Sequence, residues 1–232
     1  MAQKLSIVIP IYNEAEHLEE ILCQIEDVDI GMEKELILVD DCSTDGTREI
    51  LQKLQNAADN TAKVFYHEIN RGKGATLRTG FQHVTGDITL IQDADLEYDP
   101  KDYPKLLEPI LTNQANVVYG SRFMKGRQEG LLRSYLANRF LTTLSNLVNG
   151  TKLTDMETCY KVIKTDILKD ITLRSDRFGF EPEITAKLAR RKCKIVDVPI
   201  SYRGRDYHEG KTVSWKDGIA AIFHIFRFRF FS

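Results

Sequence analysis

The 232-residue sequence is poor in the features that mark secreted, fibrous and membrane-spanning proteins. Its four cysteines are widely spaced and form no CxxC pair, which excludes a disulfide framework. No apolar run approaches the roughly 20 residues that cross a bilayer. The first residues, MAQKLSIVIP, lack the basic and apolar regions of a signal peptide. A cytoplasmic protein without a membrane-spanning segment is therefore the expectation.

A large net charge is also lacking, because 32 basic and 34 acidic residues leave a formal charge of −2. The two halves nevertheless differ: residues 1–119 carry a net charge of −12 and residues 120–232 a net charge of +10. The hydrophobic content of 42% is typical of a folded globular protein. The difference in charge between the two halves predicts that they have different electrostatic roles. No nucleic-acid partner is expected, since no recognised reading motif accompanies the basic half.

Apolar periodicity predicts alternating strands and helices in the first half of the chain. The predicted strands are residues 5–9, 35–39, 63–67, 87–91 and 116–119, with helices between them at 14–27, around 50–54, 74–83 and 103–111. This order predicts a doubly wound, mostly parallel α/β sheet in a single domain. Beyond residue 120 the pattern is less regular, with helices expected at 134–148, 182–191 and 215–231 and strands at 160–163 and 194–200.

Polar residues follow the predicted strands, where ligands bind in open parallel sheets. The strongest signal is the stretch Asp93-Ala-Asp95-Leu-Glu97. If it continued the preceding strand, its three carboxylates would face one point and would need a cation to offset their repulsion. Carboxylate oxygens favour Mg²⁺ or Mn²⁺. A solvated acidic turn before Asp99-Pro100 is the alternative.

Two further segments have both a structural and a ligand-binding interpretation. In the turn after the second strand, Ser43, Thr44 or Asp45 can cap a helix, whereas the acidic pair Asp40-Asp41 can offer acceptors to a nucleobase or a ribose. Lys73, in Arg71-Gly-Lys-Gly74, is either a cation at a helix start or a ligand contact. The motifs GxxxxGK[ST] and GxGxxG are absent, so no standard phosphate loop is predicted.

Three segments together, Ile9-Pro-Ile-Tyr-Asn-Glu14, Val39-Asp-Asp-x-Ser-x-Asp-Gly46 and Gln92-Asp-Ala-Asp95, resemble family 2 glycosyltransferases, most closely the dolichyl- or polyprenyl-phosphate mannose synthase branch. The resemblance covers about residues 4–213. It implies the nucleotide-sugar-binding glycosyltransferase A-type fold, with a catalytic domain at 1–212 and an amphipathic helix at 213–232. It implies Mg²⁺ or Mn²⁺ bound by Asp93, Asp95 and Glu97. The implied donor-binding residues are Pro10, Tyr12, Glu14, Val39, Asp41, Lys73, Asp93 and Ala94.

The second half contains segments similar to those of lipid-phosphate mannosyltransferases. Gly120-Ser-Arg122-Phe resembles their GSR[YF] segment, which implies acceptor-phosphate binding by Arg122 and Arg133. The planar fork of arginine suits phosphate oxygens, although a local ion pair and a solvated helix start are alternatives. Asp155 matches an acidic residue near the acceptor, but Thr-Cys-Tyr follows where Ser-Gly-Phe is usual. Arg205 and Lys211 match a loop that closes over the donor diphosphate, with a solvated basic loop as the alternative.

The implied activity is metal-dependent, inverting transfer of mannose or glucose from a nucleotide diphosphate sugar to a polyprenyl or dolichyl phosphate at a membrane surface. Its implied catalytic residues are Asp95, Asp155, Arg205 and Lys211. A saccharide hydroxyl acceptor is the first alternative, with Asp155 as a candidate base. A non-catalytic nucleotide-sugar-binding subunit is the second. The aromatic and basic segment 215–231 is interpreted either as a helix in the membrane surface or as one that packs on the core or on a subunit. A membrane-embedded partner protein is left open.

Overall fold

The computed structural model describes residues 3–57, 61–124, 132–177, 179–204 and 215–231. Within these ranges, seven strands form one sheet that is flanked by helices. The strands are β1 (Lys4–Ile11), β2 (Glu33–Asp40), β3 (Lys63–Tyr66), β4 (Ile88–Ile91), β5 (Val117–Ser121), β6 (Lys161–Lys164) and β7 (Ile195–Pro199). The helices are α1 (Leu18–Asp27), α2 (Thr47–Asn56), α3 (Lys73–Phe81), a 3-10 turn (Pro100–Asp102), α4 (Tyr103–Leu111), α5 (Leu132–Asn149), α6 (Thr165–Lys169), α7 (Phe180–Arg190) and α8 (Trp215–Phe230).

The sheet has the strand order β3-β2-β1-β4-β6-β5-β7. Strand β6 runs antiparallel to both neighbours, whereas the other pairs are parallel. The predicted mostly parallel α/β sheet is therefore confirmed. The carboxyl ends of β1, β2 and β4 lie at one edge, and the antiparallel pairing of β6 brings the residues before Lys161 to that same edge. Segments distant in sequence therefore meet beyond β4.

Strands β1 and β2 form the centre of the core because their apolar runs are covered on both faces. Leu5, Ile7, Val8 and Ile9 are fully buried. Helix α1 buries one side through Leu18, Ile21, Leu22 and Ile25, at the spacing of an amphipathic helix. It begins at Leu18, later than the predicted residue 14, because the preceding residues form a turn in which His17 and Leu18 donate to the carbonyl of Glu14.

Replacement of Gly80 by alanine is expected to lower the free energy of unfolding by about 1–3 kcal/mol. Helix α3 lies against the sheet at Gly80, where an added Cβ would overlap Cγ1 of Val8. Gly218 in α8 is the matched control, since an added Cβ there meets no atom within 4 Å. Gly218→Ala is expected to raise stability by about 0.5–1 kcal/mol. Urea unfolding followed by circular dichroism measures both changes; equal effects would contradict the proposed overlap.

Helix α8 packs against α5 and α7 through one apolar face, whose Ala221, Ile225 and Phe228 are buried. Four other apolar side chains of this helix are exposed: Ile219, Phe223, Phe226 and Phe230. The core-packing interpretation of this segment is thus supported for one face only. Across the described parts of the chain, no helix combines the length and the hydropathy required to cross a membrane.

Candidate functional site

The loops that follow β1 and β2 bind each other through their polar side chains. The amide of Asn13 donates to Oγ of Ser43 at 2.9 Å, and the amide of Thr44 donates to Oδ1 of Asn13 at 2.8 Å. The amide of Glu14 donates to Oγ1 of Thr47 at 3.0 Å. Asn13 adopts a φ of 54°, a left-handed conformation that asparagine tolerates better than most residues. These contacts hold the two loops side by side at the sheet edge.

The predicted donor residues of β1 and β2 lie at this edge, although they differ in exposure. Pro10 pairs with Val39 across the two strands, and Val39 is buried. The side chain of Tyr12 is 49% exposed. Glu14 is partly buried, and its Oε2 lies 3.3 Å from Nδ1 of His17. The exposed ring of Tyr12 makes this residue accessible to a ligand.

Both acids of the Asp40-Asp41 pair are buried and bound by protein groups. Oδ2 of Asp40 accepts from Nε of Arg48 at 2.7 Å. Oδ1 of Asp41 lies 2.7 Å from Nδ1 of His67 and accepts from the amide of Arg71, while its Oδ2 accepts from the amide of Gly72. Asp41 therefore ties the loop before α3 to the end of β2. The nucleoside contact inferred for Asp41 stays a prediction.

Lys73, the first residue of α3, lies among carboxylates from two other segments. Its Nζ is 2.7 Å from Oδ1 of Asp93 and 3.7 Å from Oε1 of Glu181. Burial alone would lower the pKa of Lys73, but the two carboxylates raise it well above its ordinary value. Lys73 in turn lowers the pKa of Asp93 against the opposing effect of burial. The site therefore holds a charged lysine beside an ionised Asp93.

The prediction that Asp93, Asp95 and Glu97 lie on a continued strand, with all three carboxylates facing one point, is wrong. Strand β4 ends at Ile91, and residues 94–97 form a bend, so the alternation of an extended strand does not apply. Oδ1 of Asp95 accepts from the amide of Glu97 at 3.0 Å, and Oε2 of Glu97 accepts from the hydroxyl of Tyr202 at 3.0 Å. In the described ranges, no three His, Cys, Asp or Glu side chains form a ready-made metal site.

Arg122 and Asp155 form a buried bidentate ion pair beyond β5. Nε and Nη2 of Arg122 donate to Oδ2 and Oδ1 of Asp155 at 2.7 and 2.8 Å. The amide of Arg122 donates to Oδ2 as well, at 3.1 Å. The guanidinium also lies 5.1 Å from the ring centre of Tyr202. Both oxygens of Asp155 are thus engaged in holding Arg122, as the local ion-pair alternative predicted.

Glu157 is influenced by charges of both groups described above, those of Glu181 and Arg122. Its Oε1 is buried and has no hydrogen-bond partner in the described ranges. Burial and the nearby carboxylate of Glu181 raise the pKa of Glu157 to about 8, against the opposing charges of Lys161 and Arg122. Glu157 therefore carries a proton at neutral pH. Sequence reasoning did not single out Glu157 or Glu181; their position among buried residues is visible only in three dimensions.

The raised pKa of Glu157 predicts a pH-dependent stability. The folded protein holds this proton up to about pH 8. The unfolded chain releases it near an ordinary glutamate pKa of about 4.3. The contribution of this proton to stability is therefore full below about pH 4.3 and is lost as the pH rises towards 8. Relative to Glu157→Gln, wild-type stability should fall by up to a few kcal/mol over that range, since each tenfold change in proton affinity corresponds to about 1.4 kcal/mol. Urea unfolding at several pH values measures it.

The control for this series is Glu16→Gln, which removes the same charge at an exposed position. Its effect on the free energy of unfolding should stay within about 0.5 kcal/mol at every pH. If the difference between wild type and Glu157→Gln is independent of pH, the assignment of a protonated Glu157 is wrong.

The remaining predicted residues are placed as follows. Ala94 is buried in the bend after β4. Arg133 belongs to α5, but its side chain lies outside the described residues, as do Arg205 and Lys211 altogether. Glu183 of α7 is buried and accepts from the amides of Arg174 and Ser175 and from Lys187. Glu183 therefore fixes the segment that leads into α7.

Comparison with known proteins identifies the family to which the chain belongs and several relatives. A family model described as glycosyl transferase family 2 matches residues 6–172. A dolichol-phosphate mannosyltransferase of Pyrococcus furiosus is 30% identical over 221 residues, which cover 90% of this chain and 60% of that protein. An undecaprenyl-phosphate 4-deoxy-4-formamido-L-arabinose transferase of Edwardsiella ictaluri is 29% identical over 211 residues, covering 90% and 63%. The chain spans about three fifths of the length of these curated relatives.

Solved structures show the same fold. Glucosyl-3-phosphoglycerate synthase from Mycobacterium tuberculosis, in complex with Mn²⁺, UDP and phosphoglyceric acid, matches with a TM-score of 0.75 at 18% identity, over 99% of this chain and 80% of that chain. TarS of S. aureus, in complex with UDP-GlcNAc, matches with a TM-score of 0.60 at 21% identity, over 94% of this chain and 64% of that chain. These matches confirm the glycosyltransferase A-type fold. Since the family model spans most of the sequence and the motifs lie together at one sheet edge, the chain belongs to glycosyl transferase family 2.

Proposed function

We propose that the protein transfers a sugar from a nucleotide diphosphate sugar to a polyprenyl phosphate. The proposal depends on one observation: two different sets of charged side chains lie at the same edge of the sheet. The first is the acidic stretch of Asp93 and Asp95 with Lys73, and the second is the buried pair of Arg122 and Asp155. The two curated relatives support this choice, because a polyprenyl phosphate stands in both of their names.

The acidic stretch fits a divalent cation that arrives with the donor. Mg²⁺ is commonly held by one or two carboxylates together with substrate phosphates, so a complete cage of protein ligands is not required. Asp93 and Asp95 supply hard oxygen atoms of this kind, and Glu97 follows them in the same bend. A bound Mg²⁺ or Mn²⁺ would supply positive charge to the diphosphate that leaves the sugar.

Arg122 is the residue that we assign to the acceptor phosphate. A guanidinium carries five N–H donors, and the ion pair with Asp155 uses its Nε edge. Asp155 then acts as a positioning residue that fixes the plane of the guanidinium. A phosphate oxygen is already anionic near neutral pH and needs no base, so its attack on the anomeric carbon displaces the nucleoside diphosphate with inversion. Nothing in this step requires Asp155 to accept a proton.

The finer assignments belong to the same proposal. Mannose or glucose is the sugar that we favour, with Pro10, Tyr12, Glu14 and Val39 nearest to the nucleoside. Lys73 lies beside Asp93 and is placed to contact the donor diphosphate. Further contacts are assigned to Asp41 and Ala94 on the donor, to Arg133 on the acceptor, and to Arg205 and Lys211 on the leaving group.

A transfer assay tests the proposal. The protein is incubated with Mg²⁺ or Mn²⁺, labelled GDP-mannose or UDP-glucose, and undecaprenyl or dolichyl phosphate. The expected result is label in the lipid fraction that depends on both the metal and the lipid phosphate. Label found only in saccharide acceptors would favour the hydroxyl-acceptor alternative. Nucleotide-sugar binding without transfer to either acceptor would favour a binding subunit.

Peripheral association with a cytoplasmic membrane surface completes the proposal. Helix α8, with its exposed aromatic side chains, packs against α5, which exposes Leu136, Phe140 and Leu147. Aromatic and aliphatic side chains that lie beside arginines, here Arg227 and Arg229, suit the boundary between headgroups and acyl chains. A membrane-embedded partner could use the same surface.

Replacement of Phe223 and Phe226 by serine is expected to weaken vesicle binding by about tenfold or more, since each buried phenylalanine contributes roughly 1.5–3 kcal/mol. Flotation with phosphatidylcholine vesicles measures it. The control is Ile69→Ser with Leu111→Ser, which removes two exposed apolar side chains elsewhere. Equal flotation of wild type and the Phe223/Phe226 variant would remove the membrane role of α8.

A further inference from the structure

A second polar cleft lies between α8 and the segment that leads into α7, and this segment packs against the start of α3 at Gly72 and Gly74. Its volume is about 510 Å³. The residues that line it include Arg174, Ser175, Arg177, Gly179, His224 and Arg227. None of them belongs to the donor or acceptor groups of the proposed transfer, so the cleft has no role in that reaction as described.

Two polar atoms of this cleft are buried without a partner. Oγ of Ser175 and Nδ1 of His224 have no hydrogen-bond partner in the described parts of the chain, and Ser175 is only 8% exposed. An unsatisfied buried donor or acceptor costs about 1–3 kcal/mol. A bound ligand with acceptor oxygens would recover part of that cost. These two atoms therefore point to a ligand.

Gly179 keeps these two side chains close together. A Cβ added at Gly179 would lie 2.8 Å from Oγ of Ser175 and 2.9 Å from Cδ2 and Nε2 of His224. Any larger residue would have to displace the hydroxyl or the imidazole. The backbone at Gly179 thus leaves just enough room for both groups to face the same region.

The charge of the cleft is predominantly positive. Three arginines line it, and their side chains are exposed to solvent. The single carboxylate in its lining, that of Asp176, forms an ion pair with Arg78. Burial and the nearby Arg227 lower the pKa of His224, so the imidazole is neutral near pH 7 and carries one N–H donor. The cleft therefore offers cations and neutral donors to an anion.

We propose that this cleft binds a phosphate ester. Guanidinium forks match phosphate oxygens, and three arginines with a hydroxyl and an imidazole provide more donors than the two oxygens of a carboxylate can use. The phosphate can come from a lipid headgroup, since Phe223 and Phe226 are exposed on the helix that carries Arg227, or from a soluble metabolite. The chemistry of recognition is the same for both sources.

The test uses the imidazole of His224 as a local probe. Its ring signals in the NMR spectrum are assigned by comparison with His224→Gln. Glycerol 3-phosphate is then titrated into the full-length protein, and flotation is compared for phosphatidylcholine vesicles with and without phosphatidic acid. We expect a saturable change of the His224 signals with glycerol 3-phosphate, a gain in flotation with phosphatidic acid, or both. A change of the His224 signals without a gain in flotation identifies a soluble phosphate ester as the ligand. A gain in flotation identifies a lipid headgroup as the ligand.

Two variants and one control make the outcome decisive. Arg174→Gln with Arg227→Gln is expected to weaken the observed binding at least tenfold, and Ser175→Ala several-fold with little change of fold. Lys53→Gln with Lys169→Gln removes the same charge from exposed positions outside the cleft and should leave binding within about twofold. The proposal is overturned if neither probe binds to the wild type, or if the control pair weakens binding as much as the arginine pair does.

Discussion

Replacement of Arg122 by methionine is expected to lower the free energy of unfolding by about 3–5 kcal/mol. The change leaves the carboxyl group of Asp155 fully buried and without the two guanidinium donors that it now accepts from at 2.7 and 2.8 Å. Removal of one partner of a buried ion pair costs this much because the remaining charge has lost its compensation. Urea unfolding followed by circular dichroism measures the loss.

The double variant Arg122→Met with Asp155→Leu separates the charge from the packing. Apolar residues of similar volume often replace a buried pair at little cost, so the double variant should be more stable than Arg122→Met alone. Arg139→Met is the control, because Arg139 is exposed and its Nη1 donates to the carbonyl of Thr154 at a distance of 3.3 Å. It should change stability by no more than about 0.5 kcal/mol. A loss as large as that of Arg122→Met would contradict the ion-pair explanation.

The fold could be predicted largely because its central strands are continuous apolar runs separated by polar turns. Residues 5–9 and 35–39 were predicted as strands and lie inside β1 and β2. Two features were not predictable in the same way. The five-residue helix α6 is too short for apolar periodicity to show. The antiparallel insertion of β6 between β4 and β5 depends on pairing between segments far apart in sequence, which local pattern does not encode.

The position of the site could be predicted from the polar residues after each strand, but its internal contacts could not. Lys73 and Asp93 are 20 residues apart, and their ion pair exists because α3 and the bend after β4 meet at one edge. The bend itself replaced the expected row of carboxylates, since the strand stops at Ile91. Helix α7 buries all of its first nine residues, Glu181 and Glu183 among them, and this burial depends on packing that the local sequence does not show.

The family resemblance and the physical interpretation contributed different information. The motifs identified the family, which the match over residues 6–172 confirms. The structure adds that Asp155 binds Arg122 and that burial raises the pKa of Glu157, neither of which follows from a motif. A motif thus leaves several roles open for each of its residues, and the contacts of the residue in the structure distinguish between these roles.

Replacement of Asp95 by asparagine is expected to lower the rate of sugar transfer by about 100- to 1000-fold, the range found when a group that stabilises charge in the transition state is removed. Asparagine keeps the shape of the side chain and can still accept from the amide of Glu97, as Oδ1 of Asp95 does at 3.0 Å. The fold should therefore survive while the negative charge for the cation is lost. The measurement is the initial rate of labelled lipid formation over a range of Mn²⁺ concentrations.

Asp99→Asn is the matched control for Asp95→Asn, because Asp99 lies four residues later and makes the same kind of local contact, with Oδ1 accepting from the amide of Lys101 at 2.9 Å. Asparagine caps a helical turn about as well as aspartate does, so this variant should keep its rate within about twofold. Partial recovery of Asp95→Asn at high Mn²⁺ would show that the lost charge acts through the metal. A normal rate for Asp95→Asn, or an equal loss in both variants, would disprove that role, since the two changes differ only in which acid of the same loop is neutralised.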